Sequence, residues 1–296
     1  MRVAELLTVA ASLTPKVPLP PTKAEPDFGI GGFAITNSML SSLAVIVLVL
    51  LLVFVATRRL ERRPGLFQTG VEYVIGFLHN FSKDSAGETG ERLFPLFGGL
   101  LIYILVANWF ALLPGVGQIY VSNGKDTWPL FRAMNADLNS TLALALLTFT
   151  LIHVSGIRAR GIAHITTYIN IPSLTRFLRQ RPKSPLDLLY TFLQGLLDAF
   201  VGIFELIGEL AKIVSLSVRL FANIYGGEAL IAVIITLFAP AAFFFVGLEI
   251  GLVAIVQALI FGLLTVVYIS LVVTHEDEPD HHGNEVVEPI PEQAAA

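Results

Sequence analysis

Long apolar stretches constrain the fold of this chain more than any other feature of its sequence. The hydrocarbon core of a bilayer is ~30 Å thick, so ~20 consecutive apolar residues in a helix can cross it. Several stretches here approach or exceed that length. Charged residues make up only 14% of the chain, against ~25% in typical soluble domains. The sequence therefore predicts an all-α polytopic membrane protein.

The apolar stretches predict one membrane domain over residues 37–274, between an external amino-terminal segment, 1–36, and an acidic cytoplasmic tail, 275–296. An amphipathic stretch at about 64–82 is too polar to span easily, so we expect it at the membrane interface. About five membrane-embedded helices are predicted, at residues 37–56, 93–113, 138–157, 184–225 and 228–274.

The last two segments are too long for upright spans. Forty helical residues extend ~60 Å, about twice the hydrocarbon thickness. The fourth segment is therefore either strongly tilted or broken, and Gly226-Gly227 is the predicted turn that makes the last two segments a hairpin. Pro240 is a predicted kink or boundary in the last segment.

Two basic loops predict the orientation of the chain. Arginines cluster at 58–63, and Arg and Lys cluster again at 158–183. Cytoplasmic loops carry an excess of Lys and Arg. Both loops are therefore expected in the cytoplasm, with the amino terminus outside and the carboxyl terminus inside.

Composition excludes several classes of function. The net charge is −4 and the chain has no cysteine. Nucleic-acid binding has no electrostatic support, and thiolate catalysis and Cys-based metal sites are ruled out. The histidines form no cluster with metal-ligand spacing. No metal site and no cofactor are predicted.

Arg219 stands in the middle of the longest apolar region. A charged residue within a membrane segment is costly and marks a functional site by default. Because guanidinium does not lose its proton in proteins, Arg219 cannot pass a proton on. It can supply a fixed positive potential that keeps an approaching carboxylate ionised.

Polar residues follow one face of the helix that carries Arg219. At ~100° per residue, the charged positions fall within roughly 80° of one another, a stripe that favours an aqueous path or another subunit over lipid. Two pairs, Glu205–Lys212 and Glu209–Lys212, are alternatives in which these charges only neutralise one another. Arg219 has no acid three or four residues away. The stripe comprises Asp187, Gln194, Asp198, Glu205, Glu209, Lys212, Arg219 and Asn223.

Further polar residues lie in the other membrane segments. Glu249 and Gln257 are candidates on the last helix, Gln257 either as a hydrogen-bond neighbour of Arg219 or as a helix–helix contact without specific function. His153 fits a satisfied polar residue better than a proton relay. Asp137 either serves the proton path or caps the third span, a role for which Asn135 and Asn139 compete. Trp109 suits an interfacial aromatic belt.

The pattern Ser-Leu-x-x-Arg-Leu-Phe-x-Asn-x-Tyr-x-Gly-Glu at 215–228 resembles subunit a of the rotary F-type ATP synthase. The Gln257–Phe261 and Leu264–Ile269 stretches are similar to the last helix of that family. Two further stretches resemble the middle segments of the family: Asn108 with Leu112-Leu113-Pro114, and residues 136–143. The resemblance covers roughly residues 64–272.

The resemblance implies a role for each matching residue. Arg219 matches the stator arginine that faces the ionisable carboxylate of the rotor ring, and Asn223 and Gln257 match polar residues near it. Glu205 matches an acid of the cytoplasmic half-channel and Glu228 an acid of the external one. Lys212 also matches a family position. The family's last two helices lie nearly flat against the ring.

One position departs from the family pattern. Some members carry a His or Glu seven residues before the glutamine. In this sequence that position is Ile250, and the acid is its neighbour, Glu249.

The expected function is that of a non-catalytic stator subunit. It would form two proton half-channels and couple proton flow to rotation. Its expected partners are the c-subunit ring, the peripheral-stalk b subunits, other ATP synthase subunits and the lipid bilayer, in a bacterial plasma membrane. The alternatives are a self-contained proton-coupled secondary transporter, for which no internal repeat is visible, and a structural membrane anchor, which leaves the polar stripe unexplained.

Overall fold

A computed structural model describes residues 26–274, apart from 31–32, 59–60, 62–63, 114–115, 117–118, 123–126, 162–163 and 165–184. A 3₁₀ turn, Met134–Ala136, precedes the fourth helix, and a π-helix, Glu249–Val253, joins the last two. The prediction of an all-α polytopic membrane protein is confirmed. The α-helices, in chain order, are α1 Asn37–Thr57, α2 Leu66–Arg92, α3 Phe94–Leu112, α4 Leu138–Arg160, α5 Pro185–Leu248 and α6 Ala254–Thr274.

Helices α1, α3 and α4 are long and apolar enough to cross a membrane, and so is the region Leu193–Val273 within α5, the π-helix and α6. The starts of α1 and α3 follow local signals. The Thr36 side chain accepts a hydrogen bond from the Met39 amide at the start of α1. Pro95 occupies the first turn of α3, where a missing N–H costs nothing.

Helix α2 is longer than predicted. The amphipathic stretch was expected to end near residue 82, but the helix reaches Arg92 after a kink at Ala86 and Gly87. Gly87 has φ +59°, a left-handed conformation that glycine adopts without steric cost. The Ser82 hydroxyl donates to the Gly90 carbonyl at 2.8 Å, which ties the two sides of the kink together.

The predicted turn at Gly226-Gly227 is wrong, because α5 continues through both glycines. Glycine weakens a helix by only ~1 kcal/mol relative to alanine, whereas an open backbone hydrogen bond in hydrocarbon costs several. The helix is interrupted instead at Phe238, with φ −155° and ψ 84°. Pro240 lacks the N–H that would bond the Thr236 carbonyl, and its ring clashes with that carbonyl.

The uninterrupted part of α5 therefore runs from Pro185 to Leu237. A helix of that length is ~80 Å long, more than twice the hydrocarbon thickness. Of the two alternatives for this segment, a strong tilt is the one that agrees with the continuous helix.

The core lies where α3 and α6 meet α4 and α5. Phe97 and Ile104 of α3, Leu220 of α5 and Phe261 of α6 are at most 1% exposed. Lipid tails are as apolar as these side chains, so dispersion contacts and interhelical hydrogen bonds stabilise the packing. One such bond is buried between α4 and α5, where the Thr141 and Ser217 hydroxyls lie 3.2 Å apart.

Two short antiparallel hairpins, which the sequence pattern did not predict, lie at one end of the helices. Strand β1, Pro26–Ile30, pairs with β2, Phe33–Thr36, and strand β3, Tyr120–Ser122, pairs with β4, Thr127–Pro129. The Asn37 side chain donates to the Pro129 carbonyl at 3.3 Å. This bond connects the start of α1 with the segment between α3 and α4.

Candidate functional site

Arg219 projects from the middle of α5 and is partly exposed. Among the residues that the structure describes, no carboxylate forms an ion pair with it. One turn further along α5, the Asn223 amide donates to the Gln257 side-chain oxygen of α6. The predicted polar contact across the hairpin therefore exists, but it joins Gln257 to Asn223 and not to Arg219.

A small cavity lined by polar and apolar side chains lies on one side of Arg219, and we name it the Glu209 cavity. Its polar lining consists of Thr148, Glu209, Lys212 and Tyr268. Lys212 Nζ lies 2.5 Å from Glu209 Oε1 and 5.2 Å from the centre of the Tyr268 ring. Of the two pairs considered from the sequence, the structure therefore contains Glu209–Lys212, at helical spacing i, i+3.

Two histidines lie near the Glu209 cavity. His153 Nδ1 is 3.0 Å from the Phe149 carbonyl oxygen, in agreement with a satisfied polar residue. The His153 ring is 5.3 Å from the ring of His164, a buried residue beyond the end of α4 that the sequence pattern did not single out. Burial lowers the pKa of His164, and the nearby His153 and Arg160 lower it further, against the opposing effect of Glu209.

A second small cavity lies on the other side of Arg219, and we name it the Glu228 cavity. Asn108 of α3, Glu228 of α5 and Glu249 of the π-helix line it. Asn108 is held in place because its side-chain oxygen accepts a hydrogen bond from Asn135 at 2.7 Å. Asn135 belongs to the 3₁₀ turn, so it does not compete for the helix cap.

Gly227 brings the Glu249 carboxylate close to the backbone of α5. A methyl group on residue 227 would overlap Glu249 Oε1, so the Glu249 carboxylate would have to move aside. Of the two glycines that were predicted as a turn, Gly227 thus leaves room for the Glu249 carboxylate beside α5. No sequence signal distinguishes these two uses of glycine without the position of Glu249.

Arg132 is a buried cation that the sequence pattern did not select. It is 6% exposed, its amide donates to the Ser41 hydroxyl at 3.0 Å and its guanidinium donates to the Ala136 carbonyl at 3.2 Å. Arg132, like Glu249, lies close enough to Glu228 to act on it electrostatically. Its position in a polar loop gave no sign of this, because the loop folds back between α1, α3 and α5.

Asp137 is the amino-terminal cap of α4. Its Oδ1 accepts a hydrogen bond from the Asn139 amide at 3.1 Å, and the residue is 4% exposed. Among the three candidates for this cap, the structure selects Asp137, as expected for a short acceptor side chain at this position.

The π-helix changes the angular relation between Glu249 and Gln257. In an α-helix, eight residues at ~100° each leave ~80° between the two side chains, whereas seven residues leave only ~20°. A π turn closes its hydrogen bond one residue later than an α turn, so it absorbs one residue of the spacing. Glu249 therefore lies on the same face of the helix as Gln257, as a residue seven positions away would in a regular helix.

Arg219 separates the two cavities along α5. At 1.5 Å per residue, it lies ~15 Å from Glu209 and ~14 Å from Glu228. Glu205, one turn before Glu209, is partly exposed and lines neither cavity. The side chains of Asp187 and Asp198 lie outside the described residues. Within the described ranges, no group of three or more acids and histidines is placed to hold a metal ion.

Comparison with known proteins gives a consistent result. The family model described as ATP synthase A chain matches residues 39–270. The chain is 31% identical over 76% of its length to ATP synthase subunit a 3 of Pelobacter propionicus, covering 82% of that protein. It is 32% identical to ATP synthase subunit a of Desulfotalea psychrophila, over 73% of this chain and 75% of that one.

A third relative is ATP synthase subunit a of a Sulfurihydrogenibium species, which is 29% identical over 77% of this chain and 95% of its own. The family match covers most of the chain, including α1 and both cavities. The chain therefore belongs to the ATP synthase A chain family, as a polytopic membrane subunit of an ATP synthase.

Proposed function

We propose that this subunit is the stator of the proton motor, and that it forms two proton half-channels separated by Arg219. One observation carries the proposal. Arg219 stands between two polar cavities and has no ion-pair partner among the described residues. A membrane-embedded cation needs a counter-charge, so a carboxylate of another chain, the c-subunit ring, is its proposed partner.

The Glu228 cavity is the proposed external half-channel. Glu228 and Glu249 accept and release protons there, and the Asn108–Asn135 pair lines the route with polar groups. A proton that reaches the ring neutralises a ring carboxylate, which can then enter lipid. Neutralisation is necessary because a charged carboxylate in hydrocarbon is costly.

The Glu209 cavity belongs to the proposed cytoplasmic half-channel, with Glu205 one turn beyond it. The returning ring carboxylate loses its proton on this side, and the fixed charge of Arg219 keeps it ionised until it passes. Lys212 pairs with Glu209, and His153 and Asp198 are further proposed members of this half-channel. Asn223 and Gln257 bond to each other between the cavities and separate the two routes.

Arg219 couples proton flow to rotation by preventing a direct leak. Each proton that crosses is worth ~2.3 kcal/mol per 100 mV of membrane potential. That free energy becomes torque only if the proton must travel with the ring. Arg219 cannot carry the proton itself, since guanidinium stays protonated.

We propose a membrane, an orientation and stalk partners for this subunit. The relatives are bacterial proteins, and a bacterial plasma membrane is the proposed location, with the amino terminus outside and the carboxyl terminus in the cytoplasm. The peripheral-stalk b subunits are the proposed partners that hold the subunit still while the ring turns.

The decisive test is Arg219→Ala in the assembled ATP synthase, reconstituted into vesicles. Proton-driven ATP synthesis is expected to fall to background, because the barrier between the half-channels is lost. The matched control is Arg158→Ala, since Arg158 is exposed on the last turn of α4. Synthesis at the wild-type rate in Arg219→Ala would refute the proposal.

A second measurement separates the stator from a secondary transporter. The subunit reconstituted alone, without the ring, is expected to give no pH change in the vesicles when a potential is applied. Sustained proton transport by the isolated subunit would favour a self-contained transporter.

A further inference from the structure

The π-helix leaves one backbone carbonyl without its usual donor. In an α-helix the Ala254 amide would bond the Ile250 carbonyl, four residues back. Here the Ala254 amide donates to the Glu249 carbonyl instead. Open backbone groups at membrane depth are strongly unfavourable, so the Ile250 carbonyl needs a donor from another source.

Trp109 of α3 supplies that donor. Its indole Nε1 donates to the Ile250 carbonyl at 3.0 Å. Indole N–H groups usually find an acceptor when they leave water. The interfacial belt that the sequence predicted for Trp109 does not account for this contact, which joins α3 to the one irregular turn between α5 and α6.

The π turn determines where the Glu249 carboxylate points. With the turn present, Glu249 shares a face with Gln257 and lies against Gly227. If the turn relaxed to a regular α-helix, the side chain would rotate by ~100° about the axis. The carboxylate would then leave the Glu228 cavity, which Asn108, the neighbour of Trp109, also lines.

From these contacts we infer that Trp109 is a positioning residue of the proton path, which holds the π turn and thereby keeps Glu249 facing Glu228. Trp109 carries no exchangeable charge and acts only through the Ile250 carbonyl. The inference rests on the proposed function, because it matters for activity only if Glu249 belongs to a half-channel.

The first test is Trp109→Phe in the assembled enzyme, with Trp128→Phe of β4 as the matched control. Phenylalanine keeps an aromatic ring and removes the donor. Loss of one hydrogen bond is expected to lower proton-driven ATP synthesis about three- to tenfold, while the control keeps the wild-type rate. A wild-type rate in Trp109→Phe overturns the inference.

The second test removes the need for the donor. Deletion of Gly251, which is exposed and has open space beside it, shortens the π turn to an α turn and leaves Glu249 seven residues before Gln257. In the variant that lacks Gly251, Trp109→Phe is expected to lower proton-driven ATP synthesis less than twofold. An equal loss in both backgrounds means that Trp109 acts by some other route and overturns the inference.

The pH profile gives a readout that does not depend on the deletion. Among the described residues that line this cavity, the titratable neighbour of Glu249 is Glu228, and Arg132 acts electrostatically on Glu228. Glu249→Gln is therefore expected to flatten the dependence of synthesis on external pH. Trp109→Phe is expected to change the profile in the same direction. A wild-type profile with a reduced rate assigns Trp109 a merely structural role and overturns the inference.

Arg219→Ala distinguishes a failure of the proposed function from a failure of the inference about Trp109. If that variant still makes ATP, the proposed function fails. If it is inactive while Trp109→Phe behaves as wild type, only the inference about Trp109 fails.

Discussion

Residues of α5 line both cavities beside Arg219, but the charged groups around the acids differ between the two. In the Glu209 cavity, Lys212 forms an ion pair with Glu209 at 2.5 Å and also faces the Tyr268 ring. In the Glu228 cavity, Glu228 faces a second acid, Glu249, and no cation is among the described lining residues.

This difference separates an acid that is paired with a cation from two acids that line one cavity together. In the Glu209 cavity, the positive charge of Lys212 offsets the negative charge of Glu209. In the Glu228 cavity, Glu228 and Glu249 line the same space, and none of the other described lining residues carries a charge. If the proposed half-channels are correct, the Glu228 cavity carries more of the proton exchange than the Glu209 pair does.

The largest effect is expected at Glu228. Glu228→Gln keeps the size and polarity of the side chain and removes the exchangeable proton, so proton-driven ATP synthesis is expected to fall by tenfold or more. Glu228→Asp is the control, because it retains a carboxyl group and should keep more activity. Equal rates in Glu228→Gln and the wild type would mean that the two cavities do not differ in the way described.

A smaller effect is expected at the Glu209 cavity, where the charges neutralise each other. Glu209→Gln and Lys212→Met each break the ion pair and keep one of its charges, whereas the double variant removes both charges. A double-mutant cycle on the thermal stability of the assembled enzyme is expected to give a coupling of about 1–3 kcal/mol. Additive losses would show that the pair does not act as a unit.

The contact between the cavities is expected to matter less. Asn223 and Gln257 form one interhelical hydrogen bond, and such bonds average ~0.6 kcal/mol in membrane proteins. A cycle of Asn223→Ala and Gln257→Ala should give a coupling near that value in stability measurements. A coupling above ~2 kcal/mol would mean that this hydrogen bond contributes strongly to the stability of the packing between α5 and α6.

The smallest effect is expected at His164, and it distinguishes the two sides by pH. The pKa of His164 is lowered in the folded protein, so the folded state binds fewer protons than the unfolded one and stability rises with pH. Folding stability begins to decrease as the pH falls through ~6.5, the pKa of histidine in the unfolded chain. Between pH 8 and pH 5, the melting temperature should fall less steeply for His164→Gln than for the wild type. Parallel curves of melting temperature against pH would contradict the assignment.

The sequence predicted those parts of the fold that depend on local signals. The predicted starts at residues 37 and 138 agree with α1 and α4, whose caps in the structure are Thr36 and Asp137. The Glu209–Lys212 pair follows from helical spacing, although spacing alone left Glu205 as an alternative acid. Local patterns were sufficient in each of these cases because the partners lie within one turn.

Contacts between distant segments could not be predicted in the same way. Gly226-Gly227 has the composition of a turn, but its conformation depends on the apolar surroundings and on Glu249, 22 residues further along the chain. The π turn and its bond to Trp109 join residues 141 positions apart. Arg132 likewise acquires its importance only when its loop packs between helices.

The exposure of α1 bears on how the subunit is made. Only 11% of its apolar window is buried, and the mean hydropathy of that window is 3.1, the highest of the four candidate spans. Helices of this kind are stable in lipid before they find neighbours. Biogenesis can therefore insert α1 early as an independent anchor, whereas α5 carries Arg219 and several acids, and charged residues within a membrane segment make its insertion more costly.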